Sequence, residues 1–355
     1  MNFYMKKEYI IPIFVPHLGC PNDCTFCNQK KISGQTKMVT AHDVKETIEY
    51  YLKNFDSNDR YVEVAFFGGS FTGIEAKKQE ELLSVAFEYI KNNKVNSIRV
   101  STRPDYIDKE ILKRLKSFGV KTIELGVQST NNYILSKSRR GHTFEDVIKA
   151  SKLIRKSGFV LGHQMMVGLP ESTRKDEIQT AKDLIKLKPK IIRIYPVLVI
   201  QGTELERQYK SGEYVPLSVD QAVETSKELL KLFNKHKITV IRIGLQNTNE
   251  ITDPNNANSQ VVAGPYHPAF RQLVESSLWY DNMARELKKV NSKVRGVEIK
   301  VNPKDVNNVI GHKKSNILKF EELYNIKLHI VQSKKIKVGK FKIISTKSKP
   351  DFSEK

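Results

Sequence analysis

The cysteines of this chain, Cys20, Cys24 and Cys27, all fall within eight residues at the spacing C-x3-C-x2-C. Thiolates are soft ligands that select zinc, copper(I) or iron-sulfur clusters, and three of them on one tight loop can face a single cubane. A four-iron cluster held in this way keeps one iron without a protein ligand, and an external molecule can chelate there. Two other readings stand beside this one. With His17 the cysteines make a four-ligand set of the right softness for zinc, although structural zinc sites usually come as separated pairs. Buried, inert thiols are a common outcome for cysteine, but here the loop also holds Gly19, Pro21, Asn22 and Asp23, which argues against simple core packing.

Such a loop needs a stiff element to carry it. Residues 9–16 are a mostly apolar run of the kind shown by parallel strands covered on both faces, and they deliver the cysteines at their C-terminal end. An amphipathic helix follows from Thr40 to about Lys53, with Thr40 as N-cap and Asp43 in the first turn. The alternation repeats, with strands expected at 61–67, 97–102, 122–127, 159–167 and 190–199 and helices at 75–92, 106–116, 143–157 and 173–187. Regular βα repetition implies a parallel sheet with right-handed crossovers, whose chemistry collects at the C-terminal strand ends. Arg103, Asp105, Gln128, Ser129, His163, Gln164, Arg193 and Tyr195 all fall at or near those ends. Gly68 and Gly69 close the second strand, and without side chains they let a ligand approach the backbone. Each polar residue taken singly reads equally well as a cap, a turn or a paired buried group. Their recurrence at one rim is the stronger signal.

At 355 residues with 39% hydrophobic content the chain can build one large domain and a smaller one. No run approaches the ~18 apolar residues of a membrane span, and the first residues lack the small-residue cleavage site of a secretory signal. The expectation is a cytoplasmic protein, where thiolates stay reduced. The net charge of +21 asks for a polyanion, because Lys and Arg bind nucleic acid through counterion release. A general lysine bias does not explain its placement: residues 291–355 hold sixteen Lys and Arg against six Asp and Glu. The expected organisation is a core over 1–245, a connector over 246–292 containing the exposed Asn-rich loop 247–258 and a turn-capping His267, a basic α+β domain over 293–346 and a tail over 347–355.

The cysteine spacing, with Phe26 just before the third cysteine, resembles the signature of radical S-adenosylmethionine (SAM) enzymes. The series FGGSF at 67–71, STRPD at 101–105, ELGVQS at 124–129, RGHT at 140–143, HQMMVGLP at 163–170 and YPVLVIQGTEL at 195–205 resembles, over roughly 8–245, the core of the catalytic subunit of Elongator and its bacterial relatives. VVAGPYHPAFR at 261–271 looks like short bacterial members of that branch. The resemblance implies an α/β fold, a partial (β/α)6 TIM-like barrel. It implies a [4Fe-4S] cluster on Cys20, Cys24 and Cys27, with SAM chelated at the free iron and contacted by Phe26, Gly68, Gly69, Ser70, Arg103, Gln128, Gln164 and Arg193. Ser70 stands where an acidic residue is commoner. One electron, from a donor such as flavodoxin or ferredoxin, would cleave SAM to a 5′-deoxyadenosyl radical, with His163 and Tyr195 as candidate catalytic residues. Because that family works on wobble uridines of tRNA, the expected substrate is RNA, either tRNA or rRNA. No acetyl-CoA-type glycine loop follows Ile243, so the whole Elongator reaction is not carried over.

The basic domain resembles a KH module, which clamps a single-stranded backbone with a G-x-x-G loop between two helices. Gly311, His312, Lys313 and Lys314 occupy that loop, with Lys314 in place of the second glycine. Two alternatives remain open at this level: a radical SAM oxidoreductase acting on a small molecule, and a non-enzymatic RNA-binding protein with a sensory cluster.

Overall fold

Runs rich in Val, Ile and Phe fold as parallel strands and the segments between them as helices in the computed structural model, which describes residues 7–15, 24–28, 38–55, 60–248, 250–289 and 294–347. The chain divides into two compact units, Met1–Pro268 and Ala269–Lys355. In the first, β1 (Lys7–Val15), α1 (Ala41–Asn54), β2 (Arg60–Gly68), α2 (Ala76–Lys91), β3 (Ser97–Thr102), α3 (Lys109–Ser117) and β4 (Val120–Gln128) follow in order. Then come α4 (Asn132–Lys137), α5 (Phe144–Lys156), β5 (Val160–Val167), α6 (Arg174–Lys186), β6 (Ile191–Pro196), β7 (Val199–Ile200), α7 (Glu204–Lys210), α8 (Val219–Lys235), β8 (Thr239–Ile243) and β9 (Val261–Ala263).

The sheet runs β1-β2-β3-β4-β5-β6-β8, with every neighbouring pair parallel. It is an open parallel barrel, as the resemblance implied, with one strand, β8, beyond the six read from the sequence. The run expected to be a sixth strand over 190–199 stops at Pro196, where a proline supplies no amide to a ladder. Its continuation, β7, pairs antiparallel with β9 in a separate ribbon.

Local chemistry sets the helix starts. In α1, α5 and α6 a threonine N-cap (Thr40, Thr143, Thr173) and an aspartate three residues on (Asp43, Asp146, Asp176) satisfy one another's orphan amides, and Ser218 with Gln221 does the same for α8. This reciprocal pairing is the capping box. Strand alternation then sorts the faces: in β4, Ile123, Leu125 and Val127 are fully buried, while on the other face Thr122 bonds across to Glu63 of β2, Glu124 to Arg99 of β3 and Gln128 to Gln164 of β5.

Gly68 shows why the end of β2 takes no side chain. It has φ +130°, and a Cβ there would lie 1.9 Å from the carbonyl oxygen of Val15, its partner in the register. The close approach is by the protein's own β1, the strand that leads to the cysteines.

The second unit contains α9 (Phe270–Leu287), β10 (Gly296–Val301), α10 (Val306–Ile310), α11 (Ser315–Tyr324), β11 (Lys327–Gln332) and β12 (Phe341–Lys347). Its sheet is β11-β10-β12, parallel between β10 and β11 and antiparallel between β10 and β12. Trp279 and Met283 of α9 pack with Val297, Ile299, Val301, Val309 and Phe320. The division between units falls inside the stretch 246–292 read as a connector. Phe270, Val274, Met283 and Leu287, all buried, recur there at helical spacing and mark α9. Among the described residues no helix is long and apolar enough to cross a membrane.

Candidate cofactor site

The described part of the cysteine loop sits on an apolar bed. Cys24 and Phe26 are buried with Ile134 of α4, Leu169 after β5, Val197 and Val199, Leu205 of α7 and Tyr214, and Cys27 packs against the same cluster. Backbone bonds fasten it: Thr25 N donates to Ser138 O at 3.2 Å, Leu205 N to Thr25 O at 2.7 Å, and Cys27 N to Cys24 O at 3.0 Å. Arg140 Nη1 donates to the Cys24 sulfur at 3.2 Å. Cys20 and His17 lie outside the described residues, and among the described residues no group of three or more metal-binding side chains forms. The donors present fit an iron-sulfur cluster better than inert packing. Two sulfurs share one turn, and a guanidinium donor aimed at sulfur is suited to an anionic thiolate.

The strand ends bring other expected residues together. Ser70 Oγ and Thr102 Oγ1 lie 2.7 Å apart, and Ser70 Oγ accepts from Arg103 N at 3.3 Å, joining the turn after β2 to the end of β3. Gly69 is half-buried in that turn. Arg103, 2% exposed, grips Asp105 through Nε at 2.9 Å and Nη2 at 2.8 Å. Gln128 adopts φ +69°, an unusual left-handed conformation for a residue with a Cβ, and its Oε1 accepts from Gln164 Nε2 at 3.2 Å.

Below this rim a line of charges crosses the concave face. Arg99 Nε donates to Glu63 at 2.7 Å, its Nη2 also pairs with Glu63, and its Nη1 donates to Glu124. Glu124 in turn takes Arg193, and Arg193 Nη1 donates to Tyr195 Oη at 3.1 Å. Arg193 also lies over the Phe67 ring, 5.0 Å from its centroid. Burial alone would lower the pKa of Arg193, but the neighbouring Glu124 and Tyr195 more than reverse this and raise it. Sequence reading placed Arg193 and Tyr195 at the rim but missed Glu63, Arg99 and Glu124 as a set. Their signal was present: a charged residue alternating with apolar neighbours in each of four strands.

His163 corrects an expectation. Gln164 turns to the concave face, so its neighbour His163 must face the helices. There its Nε2 meets Ser151 of α5 at 2.9 Å, and burial lowers its pKa to about 3. It is a neutral packing histidine on the face away from Gln128 and Arg193, and no candidate for proton transfer among them. Arg140 and His142 went unremarked as site residues although their motif was visible. Arg140 Nη2 donates to Gly126 O at 2.8 Å and His142 Nε2 to Val127 O at 3.2 Å, so the loop after α4 caps the end of β4.

A buried carboxyl holds the turn that carries Leu169. Glu177 of α6 accepts from Gly168 N at 2.6 Å, Tyr214 Oη donates to Gly168 O at 2.6 Å, and burial pushes the Glu177 pKa up to about 7 from the ordinary 4.5. The folded state therefore holds this proton more tightly than the unfolded state. The stabilisation is full below about pH 4.5 and is lost as pH rises to about 7, by roughly 3 kcal/mol. Glu177→Gln keeps an acceptor for Gly168. Urea unfolding of that variant should show a flatter stability profile between pH 5 and 7.5 than wild type, and parallel profiles would refute the assignment.

In the second unit the loop residues lie together between α10 and α11. Gly311 has φ +84°, and a Cβ there would meet Ser315 Oγ at 2.4 Å and Asn316 N at 2.8 Å. Lys313 and Lys314 are exposed and both left-handed, at φ +51° and +62°, each disfavoured by about 1–2 kcal/mol for a residue with a Cβ. Asn316 anchors the loop by donating to Ser276 O at 2.9 Å and Val309 O at 3.1 Å. His312 sits half-buried beside the lysines.

A family model described as the radical SAM superfamily matches residues 14–184, and one described as the Radical_SAM C-terminal domain matches 189–280. A tRNA uridine(34) acetyltransferase of Methanocaldococcus jannaschii is 34% identical over 44% of this chain and 29% of its own length. An uncharacterized protein of the same organism is 31% identical over 65% of this chain and 75% of its own. The solved structure of Methanocaldococcus infernus Elp3 with an N-terminal deletion aligns with TM-score 0.61 at 23% identity, over 79% of this chain and 63% of that one. The chain thus spans less than a third of the acetyltransferase. It belongs to the radical SAM superfamily of enzymes, and the relatives it resembles there include the catalytic subunit of Elongator.

Proposed function

We propose that this radical SAM enzyme modifies RNA, with a [4Fe-4S] cluster on Cys20, Cys24 and Cys27 and with SAM bound along the concave rim. The observation that carries the cofactor reading is the Cys24–Cys27 turn, fastened beside Arg140 and the end of β4. When bound and reduced, the cluster and SAM supply a carbon-centred radical for hydrogen abstraction. The chain's own part is to orient and exclude water. Gln128, Gln164, Arg193 and Tyr195 project from neighbouring strands onto one face and are assigned to hold SAM and substrate, together with Phe26, Gly68, Gly69, Ser70 and Arg103. Ser70 and Arg103, already bonded to Thr102 and Asp105, act chiefly by keeping the turn after β2 in place.

RNA as substrate draws on the basic charge, on the naming of the M. jannaschii relative and on the loop Gly311–His312–Lys313–Lys314, a KH-like grip whose two exposed lysines suit phosphate contact. An external one-electron donor such as flavodoxin or ferredoxin is part of the proposal. Anaerobic protein given dithionite and SAM should release 5′-deoxyadenosine, faster with tRNA present. Lys313→Glu with Lys314→Glu should weaken RNA binding and flatten its log-log salt slope by about one to two, leaving SAM cleavage without RNA intact. Cleavage insensitive to RNA, with an unchanged salt slope in the double variant, would favour a small-molecule substrate.

A further inference from the structure

The contact between Arg140 and Cys24 joins residues 116 positions apart, and both are nearly fully buried. Arg140 leaves α4 just after Ser138, whose carbonyl receives the Thr25 amide. One guanidinium nitrogen donates to Cys24 Sγ and another to Gly126 O, while His142 Nε2 takes Val127 O. The terminal carbonyls of β4 and the sulfur of the cysteine turn are therefore held by one short loop. A Cβ at Gly126 would touch Arg140 Nη2 at 3.4 Å, an ordinary contact, and would crowd Gln128 Nε2 at 3.1 Å.

We propose that Arg140 is a positioning residue for the cluster ligand Cys24, fixing its sulfur and raising the reduction potential of the cluster through the N–H···S bond. This rests on the cluster reading above. A guanidinium is charged at every accessible pH and its fork can serve two acceptors at once. Hydrogen bonds to ligand sulfur and local net charge are among the levers that set iron-sulfur potentials, and outer partners orient metal ligands. A donor and a cation at the sulfur both favour the reduced, more negative cluster, so their removal lowers the potential.

The full-length chain, reconstituted anaerobically with iron and sulfide, is titrated for its midpoint potential by electron paramagnetic resonance as wild type, Arg140→Gln and Arg140→Lys. The expected order is wild type highest, Lys intermediate and Gln lowest. Lysine keeps the charge but cannot span Cys24 and Gly126. Full iron content with the wild-type midpoint in Arg140→Gln overturns the proposal. If Arg140→Gln loses its iron, Arg140→Lys decides: a lowered midpoint supports the role and a wild-type midpoint overturns it. Hydrogen exchange in iron-free protein provides an arm independent of the cluster, with the amides of Thr25 and Cys27 expected to exchange about tenfold faster in Arg140→Gln. Unchanged exchange removes the positioning role. Wild type that takes up no iron removes the cluster reading and the potential-setting role with it, while exchange still reports on the clamp.

Discussion

Cys24→Ala should strip the protein of its iron while leaving it folded. A [4Fe-4S] cluster with three cysteine ligands has no spare thiolate in this chain, and two sulfurs do not hold a cubane that ordinarily takes three or four. Iron content in anaerobically reconstituted protein should fall from about four atoms per chain to well under one, with loss of the visible charge-transfer absorbance. The fold should survive, because the substitution removes a single sulfur from a site bedded on Ile134, Leu169, Val197 and Leu205. A small buried truncation of this kind costs about 1 kcal/mol. Retention of full iron would mean that the triplet is not the cluster site. Zinc in place of iron in the wild type would revive the alternative that adds His17.

Glu124→Ala should produce the largest loss of stability of any single change on the concave face. Its carboxylate lies between Arg99 and Arg193, and the three side chains are at most 11% exposed. Removing one partner of a buried ion pair is worth about 3–5 kcal/mol, because it leaves charge uncompensated. Here two cations lose their shared anion, although Arg99 keeps Glu63 and Arg193 keeps Tyr195 and the Phe67 ring. Urea unfolding should therefore show a drop toward the upper part of that range. Glu124→Gln retains the shape and part of the hydrogen bonding and should lose less. A change below about 1 kcal/mol in the alanine variant would show that these charges are solvated rather than locked together. If Arg193 holds SAM as proposed, the glutamine variant should also bind SAM more weakly, since Arg193 would face a neutral partner in place of the Glu124 carboxylate.

Much of the fold could be read without coordinates because its causes are local. Thr40, Thr143 and Thr173 each precede an aspartate by three residues, and each starts a helix by a hydrogen-bond exchange within one turn. The apolar runs between those helices could hardly be anything but strands of a covered sheet, and three cysteines in eight residues state a ligand preference before any folding occurs.

What depended on the folded chain is every statement about facing and distance. His163 and Gln164 are adjacent and both polar, yet the pleat sends one to Ser151 and the other to Gln128. Which of them faces the site follows from the side on which the helices pack, a property of the whole sheet. Gly68 read as room for a ligand, and only the folded chain shows that it must first leave room for Val15. Arg140 reaches Cys24 only because β4 and the loop after α4 bring distant segments together. Sequence patterns report free energies within a turn or a strand. Contacts across more than a hundred residues depend on register and crossover, which no local pattern encodes.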